Sequence, residues 1–208
     1  ATGAQAILGD TGTVTLAADG RALRAVSDGA AGGAADRIAL ADAGAVVIGG
    51  DGADLISATG GVNILLGDDG DITFAATGAD RVESLWTARA GADTLTGGTG
   101  RDLILGGGGT DRISTGEGEN IAFGDNAILS GLAAMIAAGQ LLPREGASLV
   151  ILAVASDAAM GAGDSISAGN GRNLMVGGQG ADTILGGAGD DDILGGHFID
   201  VARQNVVL

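Results

Sequence analysis

Between Thr94 and Asn126 an apolar position returns every nine residues: Leu95, Ile104, Ile113 and Ala122 each stand two places after Asp93, Asp102, Asp111 or Asn120. Glycine fills the run before each acidic position, as in Gly97-Gly98-Thr99-Gly100-Arg101-Asp102, so the unit reads G-G-x-G-x-D-x-U-x with U apolar. A short fixed period is the signature of a repeat architecture. Three residues x-U-x make a minimal strand, and side-chain alternation sends U to one face and both neighbours to the other. The glycine-rich run turns the chain, because glycine enters positive-φ conformations at little steric cost. Two units then close a coil of eighteen residues, which makes turn residues eighteen apart neighbours: Asp93 with Asp111, Asp102 with Asn120.

The same pattern occurs twice more. Asp36, Ala45, Asp54 and Asn63 precede Ile38, Val47, Ile56 and Leu65, and Asp164, Asn173, Asp182 and Asp191 precede Ile166, Met175, Ile184 and Ile193. Between these blocks the period changes to strand-like alternation. The run around Ala18-Asp19-Gly20 predicts a hairpin or one enlarged coil, and 71–74 with 82–86 repeats that pattern. After Asp125 the hairpin is expanded: Leu129 to Leu142 predicts a short helix covering a sheet or edge, and Leu149 to Ala155 a buried strand. Gly-Asp pairs at 9, 67 and 124 mark a larger repeat and divide the chain into units 1–66, 67–123 and 124–208. Residues 3–10 match 61–68 position for position, so the chain is expected to begin inside an array. At the other end Phe198 replaces a turn glycine before Asp200, and Asn205 to Leu208 predicts a strand.

Composition sharpens this picture. With 42 glycines, three phenylalanines and one tryptophan, the core must be thin and aliphatic, while 46% apolar content argues against disorder. A net charge of −16 excludes nucleic acid and anionic membrane surfaces as partners and favours metal cations. Stacked carboxylates repel one another, whereas carboxylates with turn carbonyls form a hard-oxygen cage suited to calcium. There is no cysteine, hence no disulfide framework, and the stretch from Ala1 is not expected to be a secretory signal. The uncharged stretch Asn126 to Pro143 is short of the roughly 20-residue membrane span and is interrupted by Ser130, Gly131, Gly139 and Gln140, so no membrane insertion is expected.

The three in-register blocks resemble the repeats-in-toxin (RTX) family, whose nonapeptides form a calcium-filled parallel β-roll. The fold expected is therefore all-β: parallel β-roll blocks joined by antiparallel hairpins, with one short helix. Calcium is expected between coils at Asp93/Asp111, Asp102/Asn120, Asp164/Asp182, Asn173/Asp191 and, more weakly, Asp36/Asp54, since Ala45 removes one ligand from the first block. Asp68 and Asp125 lie fourteen residues after Asp54 and Asp111 and are expected to complete terminal sites beside those acids. Turn preference of Asp and Asn explains single positions, but not a nine-residue register.

Catalysis is not expected. Gly163-Asp164-Ser165-Ile166 looks like a G-D-S-L hydrolase motif, yet the repeat accounts for every residue in it, and His197 to Asp200 reverses that family's order. The glycine runs contain no G-x-x-x-x-G-K-[ST] phosphate loop, and the chain has no lysine. Ice binding needs a regular outward ladder, and the column Asp51, Thr99, Gly108, Gln179 varies. The resemblance implies a structural segment of a large secreted or cell-surface bacterial protein, an adhesin, surface-layer or filament extender. Its partners would be calcium ions and neighbouring repeats or other copies of itself. The alternative is a secretion and folding module of a secreted protease or lipase, with the uncleaved C-terminal export signal of the family.

Overall fold

The computed structural model describes residues 5–29, 33–41, 44–85, 90–139, 141–142, 150–152 and 161–196. The expectations for Trp86, Leu149, 153–155, His197, Phe198, Asp200 and Asn205 to Leu208 lie outside them. Strands are numbered in chain order. One wall of a parallel roll consists of β1 (Gln5–Leu8), β5 (Ala45–Ile48), β7 (Gly60–Leu66), β11 (Thr99–Leu105), β13 (Asn120–Phe123), β17 (Asn173–Val176) and β19 (Asp192–Leu194). The facing wall consists of β4 (Arg37–Leu40), β6 (Leu55–Ala58), β10 (Thr94–Thr96), β12 (Arg112–Gly118), β16 (Ser165–Ala168) and β18 (Thr183–Leu185). The chain alternates between walls at each nonapeptide, as the spacing predicts.

Between the walls lies the ladder of U residues. Val47, Ile56, Leu65, Leu95, Ile104, Ile113, Ala122, Ile166 and Met175 are all buried in one cluster with Ala45. Burial of each full aliphatic side chain contributes about 1.5–3 kcal/mol, and identical spacing from coil to coil lets every coil support the next.

The hairpins are not loops hanging from the roll. β2 (Gly12–Leu16) with β3 (Ala22–Ser27), β8 (Gly70–Ala75) with β9 (Gly78–Ser84), and β14 (Ile128–Ser130) with β15 (Val150–Leu152) pair edge to edge into one six-stranded antiparallel sheet in the order β15-β14-β9-β8-β3-β2. A buried serine serves each joint: Ser27 Oγ accepts the Gly70 N–H at 2.9 Å, and Ser84 Oγ accepts the Ala127 N–H at 2.8 Å.

This sheet covers the outer face of the first wall, so that wall is apolar on both sides. Val46, Ile48, Ile64, Leu66, Leu103, Leu105, Ile121, Phe123, Leu174 and Val176 form a second core with Ala25, Ile72, Val82 and Leu129 of the cover. The expectation that the flanks of U face solvent holds only for the other wall, where Arg37, Arg112 and Thr183 are exposed and Ser57, Ser114 and Ser167 are half-buried. Flanks apolar in alternate nonapeptides thus distinguish a covered wall from a wet one.

The short helix is α1 (Leu132–Ala137), which packs against β9 and sends Leu132 and Met135 into the second core. The predicted helical stretch is shorter than its composition suggests, because Leu129 belongs to β14 and Gly131, at φ 85°, starts the helix. Glu119 Oε1 then accepts the N–H groups of Leu141 and Leu142 at 2.6 and 2.8 Å, tying the segment back to the roll. No helix among the described residues is long and apolar enough to cross a membrane.

Two buried layers imply a mutational pattern. Leu103→Asp and Ile104→Asp, both at fully buried positions, are each expected to destabilise by more than about 4 kcal/mol. Arg112→Ala on the wet wall should change stability by less than about 0.5 kcal/mol. Urea denaturation in saturating calcium measures all three, and a tolerated Leu103→Asp would show that the cover does not sit on the wall.

Candidate metal edge

Each coil has two turns, and the sequence makes them different. Turns leading from the covered wall to the wet wall end in Asp36, Asp54, Asp93, Asp111, Asp164 and Asp182, an unbroken column of acids. Turns leading back end in Ala45, Asn63, Asp102, Asn120, Asn173 and Asp191. We call these the acid edge and the amide edge.

Along the acid edge, each carboxylate is hung from the coil before it. The N–H groups of Asp36, Asp54, Asp93, Asp111 and Asp164 donate to Oδ1 of Asp54, Asp93, Asp111, Asp164 and Asp182 at 2.7, 2.7, 2.8, 2.8 and 3.0 Å. The neighbours expected eighteen apart are therefore adjacent. The column also runs through the block boundaries, placing Asp54 on Asp93 and Asp111 on Asp164, because the hairpins step aside and let the coils stack directly.

Only half of each of these five accepting carboxylates is satisfied. Oδ2 of Asp36, Asp54, Asp93, Asp111, Asp164 and Asp182 is buried without a hydrogen-bond partner. Leaving a buried acceptor unsatisfied costs about 1–3 kcal/mol, more for a charged group. Burial first, then the neighbouring acids, pushes Asp93 up to about 7, Asp111 to about 9 and Asp164 to about 7, against backbone hydrogen bonds that lower them. Asp54 is pushed to about 6 by the same causes. A positive charge beside these four acids would offset both their burial and their mutual repulsion.

The turn supplies the remaining oxygens. Beside each opening glycine, Gly49, Gly67, Gly106 and Gly124, stand Oδ2 of the acid closing that turn and the carbonyl oxygen of the next coil's opening glycine. A β-carbon at any of these glycines would collide with both atoms. Among the described residues no three acidic side chains converge as a metal-holding group, so a cation here would combine few carboxylates with turn carbonyls. Such an all-oxygen set with flexible geometry suits calcium, and the orphaned Oδ2 atoms fit that ion.

Asp68 and Asp125 occupy a different place from the one expected. Every hairpin is inserted inside an acid-edge turn, leaving after Asp10, Asp68 or Asp125 and returning at Gly33, Gly91 or Gly161. Asp68 therefore belongs to the same split turn as Asp93, and its charge bears on Asp111 of the next coil rather than lying over Asp54. Asp125 bears on Asp164, which closes its own split turn, as Asp68 also does on Asp93. Asp68 Oδ1 accepts the N–H of Gly91 at 2.9 Å and Oδ2 that of Gly108 at 2.5 Å, which clasps the two ends of the inserted hairpin to the next coil. Asp125 Oδ2 accepts the Gln179 N–H, the equivalent contact. Burial pushes Asp68 up to about 8, with Asp93 and Asp69 adding to it against the two N–H donors.

Asp10 is the residue that sequence reasoning missed. Its Oδ2 is buried without a partner at the first split turn, where Gly33 and Gly50 approach it closely. The Gly9-Asp10 pair, equivalent to Gly67-Asp68 and Gly124-Asp125, was the available signal.

The amide edge has the adjacency expected for Asp102/Asn120 and Asn173/Asp191, with N–H to Oδ1 distances of 2.9 and 3.0 Å. Burial pushes Asp102 up to about 6, opposed by hydrogen bonds from Asn63.

Comparison with known families agrees with this geometry. The model of the RTX calcium-binding nonapeptide repeat (4 copies) matches residues 42–71, 87–122 and 161–201, together just over half of the chain. Neither the curated proteins nor the solved structures compared with the chain give a match.

The raised carboxyls carry a sign. Asp54, Asp68, Asp93, Asp111 and Asp164 sit above the ordinary 3.8, at about 6, 8, 7, 9 and 7. The folded, metal-free protein therefore binds protons more tightly than the unfolded chain. That stabilisation is complete below the ordinary value and is lost as pH rises through the raised ones. The folded fraction of metal-depleted protein, read by circular dichroism, should fall from about pH 5 to about pH 9, with saturating calcium flattening the dependence. A folded fraction that rises over that span without metal would contradict the buried column.

Proposed function

The chain belongs to the RTX calcium-binding nonapeptide-repeat family, and on that premise we propose that it is a structural segment of a large secreted or cell-surface bacterial protein. It acts as an extender and has no catalytic role. Family membership supports secretion, and the acid edge supports a segment that folds when calcium arrives outside the cell. The observation that carries the reading is the column of buried, half-satisfied carboxylates.

Asp36, Asp54, Asp93, Asp111, Asp164 and Asp182 are the proposed ligand column, with Asp68 and Asp125 at the split turns. Calcium, when bound, supplies the positive charge and the oxygen-seeking shell that this column lacks. The chain's own residues do the rest. Oδ1 of Asp54, Asp93, Asp111, Asp164 and Asp182 stays tied to an N–H and fixes the carboxylate, each opening glycine leaves room beside Oδ2, and the U ladder holds the coils at sheet spacing. Without the ion, a net charge of −16 and the large backbone entropy of 42 glycines oppose folding. With it, binding free energy becomes folding free energy. Affinities on the order of 10⁻⁴ to 10⁻³ M, as in extracellular modules, would leave the roll empty in a cytosol and filled outside.

In this reading the units 1–66, 67–123 and 124–208 are successive copies of one building block, each giving a hairpin to the cover and coils to the roll. Among the described residues the outermost strands of the sheets pair on one side only, and β2 is exposed along its whole length, with Leu16 57% exposed. Such edges favour pairing with neighbouring repeats or other copies of the chain.

Circular dichroism during a calcium titration tests the proposal. The parent should gain β signal cooperatively, and Asp182→Ala should need several-fold more calcium. Ultracentrifugation of the calcium-loaded chain should show concentration-dependent association. A folded spectrum in excess chelator that calcium does not change would refute the folding mechanism, and a clean monomer at all concentrations would refute edge pairing.

A further inference from the structure

The two edges of the roll differ in chemistry as well as in position. A side-chain amide has one acceptor oxygen and a nitrogen with two donors. At the amide edge the oxygen is already committed: Asn63 Oδ1 accepts the Ala45 N–H at 3.2 Å, and Asn120 Oδ1 the Asp102 N–H at 2.9 Å. The nitrogen must then face the turn. Asn63 Nδ2 donates to the Gly60 carbonyl at 3.2 Å and to Asp102 Oδ1 at 2.7 Å. Asn120 Nδ2 lies within 3.3 Å of the Gly118 carbonyl and Thr115 Oγ1, and 3.0 Å from Asn173 Oδ1. Asn173 Nδ2 donates to Asp191 Oδ1 at 2.8 Å and approaches the Gly171 carbonyl at 3.4 Å.

Around the three amides the turn carbonyls that a cation would need are therefore facing N–H groups, which carry partial positive charge; the one bare carboxylate oxygen described at this edge is Asp102 Oδ2, whereas the acid edge presents one at each of six turns. Ala45 adds no oxygen, and Asp102 stands between two neutral neighbours, Asn63 and Asn120. Calcium affinity follows ligand charge count, and this edge has too little.

We propose that calcium is confined to the acid edge, and that the opposite edge is a metal-free ladder closed by the amides of Asn63, Asn120 and Asn173. This rests on the calcium reading above and departs from the expectation that Asp102/Asn120 and Asn173/Asp191 are calcium pairs. The amides take over the neutral half of the work: they satisfy turn carbonyls and link coils with bonds that survive any calcium concentration. Ala45 then weakens the hydrogen-bonded edge of the first block and leaves its ligand column of Asp36 and Asp54 intact.

The test counts ions on the whole chain by native mass spectrometry and follows the melting midpoint against calcium concentration, whose slope reports ions bound on folding. Asp102→Asn, nearly isosteric, should keep the ion count and shift the calcium midpoint by less than about twofold. Asn120→Ala should lower the melting midpoint equally at low and high calcium. Asp111→Asn should lose at least one ion, or raise the calcium midpoint on the order of tenfold. If the parent binds calcium and Asp102→Asn or Asn120→Ala binds fewer ions, the edge assignment is overturned while the calcium reading stands. A parent that binds no calcium overturns both.

Discussion

The structure depends on how one carboxylate is held. Asp111 gives Oδ1 to the backbone of the coil before it and keeps Oδ2 buried without a donor, and the same arrangement recurs at Asp54, Asp93 and Asp164. The first bond stacks the coils. The second atom makes that stack unfavourable until a cation or a proton reaches it, because a buried charge without a partner is strongly penalised. In the proposed reading one side chain thus both builds the repeat and makes it conditional on the ion. The glycines beside Oδ2 belong to the same device, since any side chain at Gly106 or Gly124 would close the space.

Stability that does not depend on this edge comes from two aliphatic layers. The ladder through Leu65, Ile104 and Ala122 fills the roll, and the layer through Leu66, Leu105 and Phe123 joins the same strands to the hairpin sheet. The cover answers a problem of thin solenoids with few aromatic residues: a single row of inward side chains per wall buries little surface, and covering one wall adds a second row without lengthening the coil. Inserting each hairpin in an acid-edge turn places its ends at the edge, where Asp68 fastens them. The acid edge and the cover are therefore mechanically linked.

Much of this was legible in the sequence. The nine-residue period gave the parallel roll and the inward ladder, and the eighteen-residue coil gave Asp93 beside Asp111 and Asp164 beside Asp182. What escaped was the difference between odd and even nonapeptides. Leu103 and Leu105 flank one apolar position while Arg112 and Ser114 flank the next, and Asp fills every acid-edge slot while Asn and Ala enter the other. Treating all units as equivalent averages out both contrasts, although both stand in the sequence. The stacking of Asp54 on Asp93, 39 residues apart, had no local signal: it requires that an entire hairpin leave and re-enter within one turn. The place of Asp68 was missed for the same reason, since counting along the chain takes the inserted residues as coil.

The account's central claim is that calcium satisfies the buried Oδ2 column. A crystal structure grown in calcium, with anomalous scattering to locate the ions, tests it most directly. The account requires ions in single file between Oδ2 of the acid-edge aspartates and the opening-glycine carbonyls, and none among Asn63, Asn120 and Asn173. A calcium-grown roll with no ion against Asp93, Asp111 or Asp164 would contradict it.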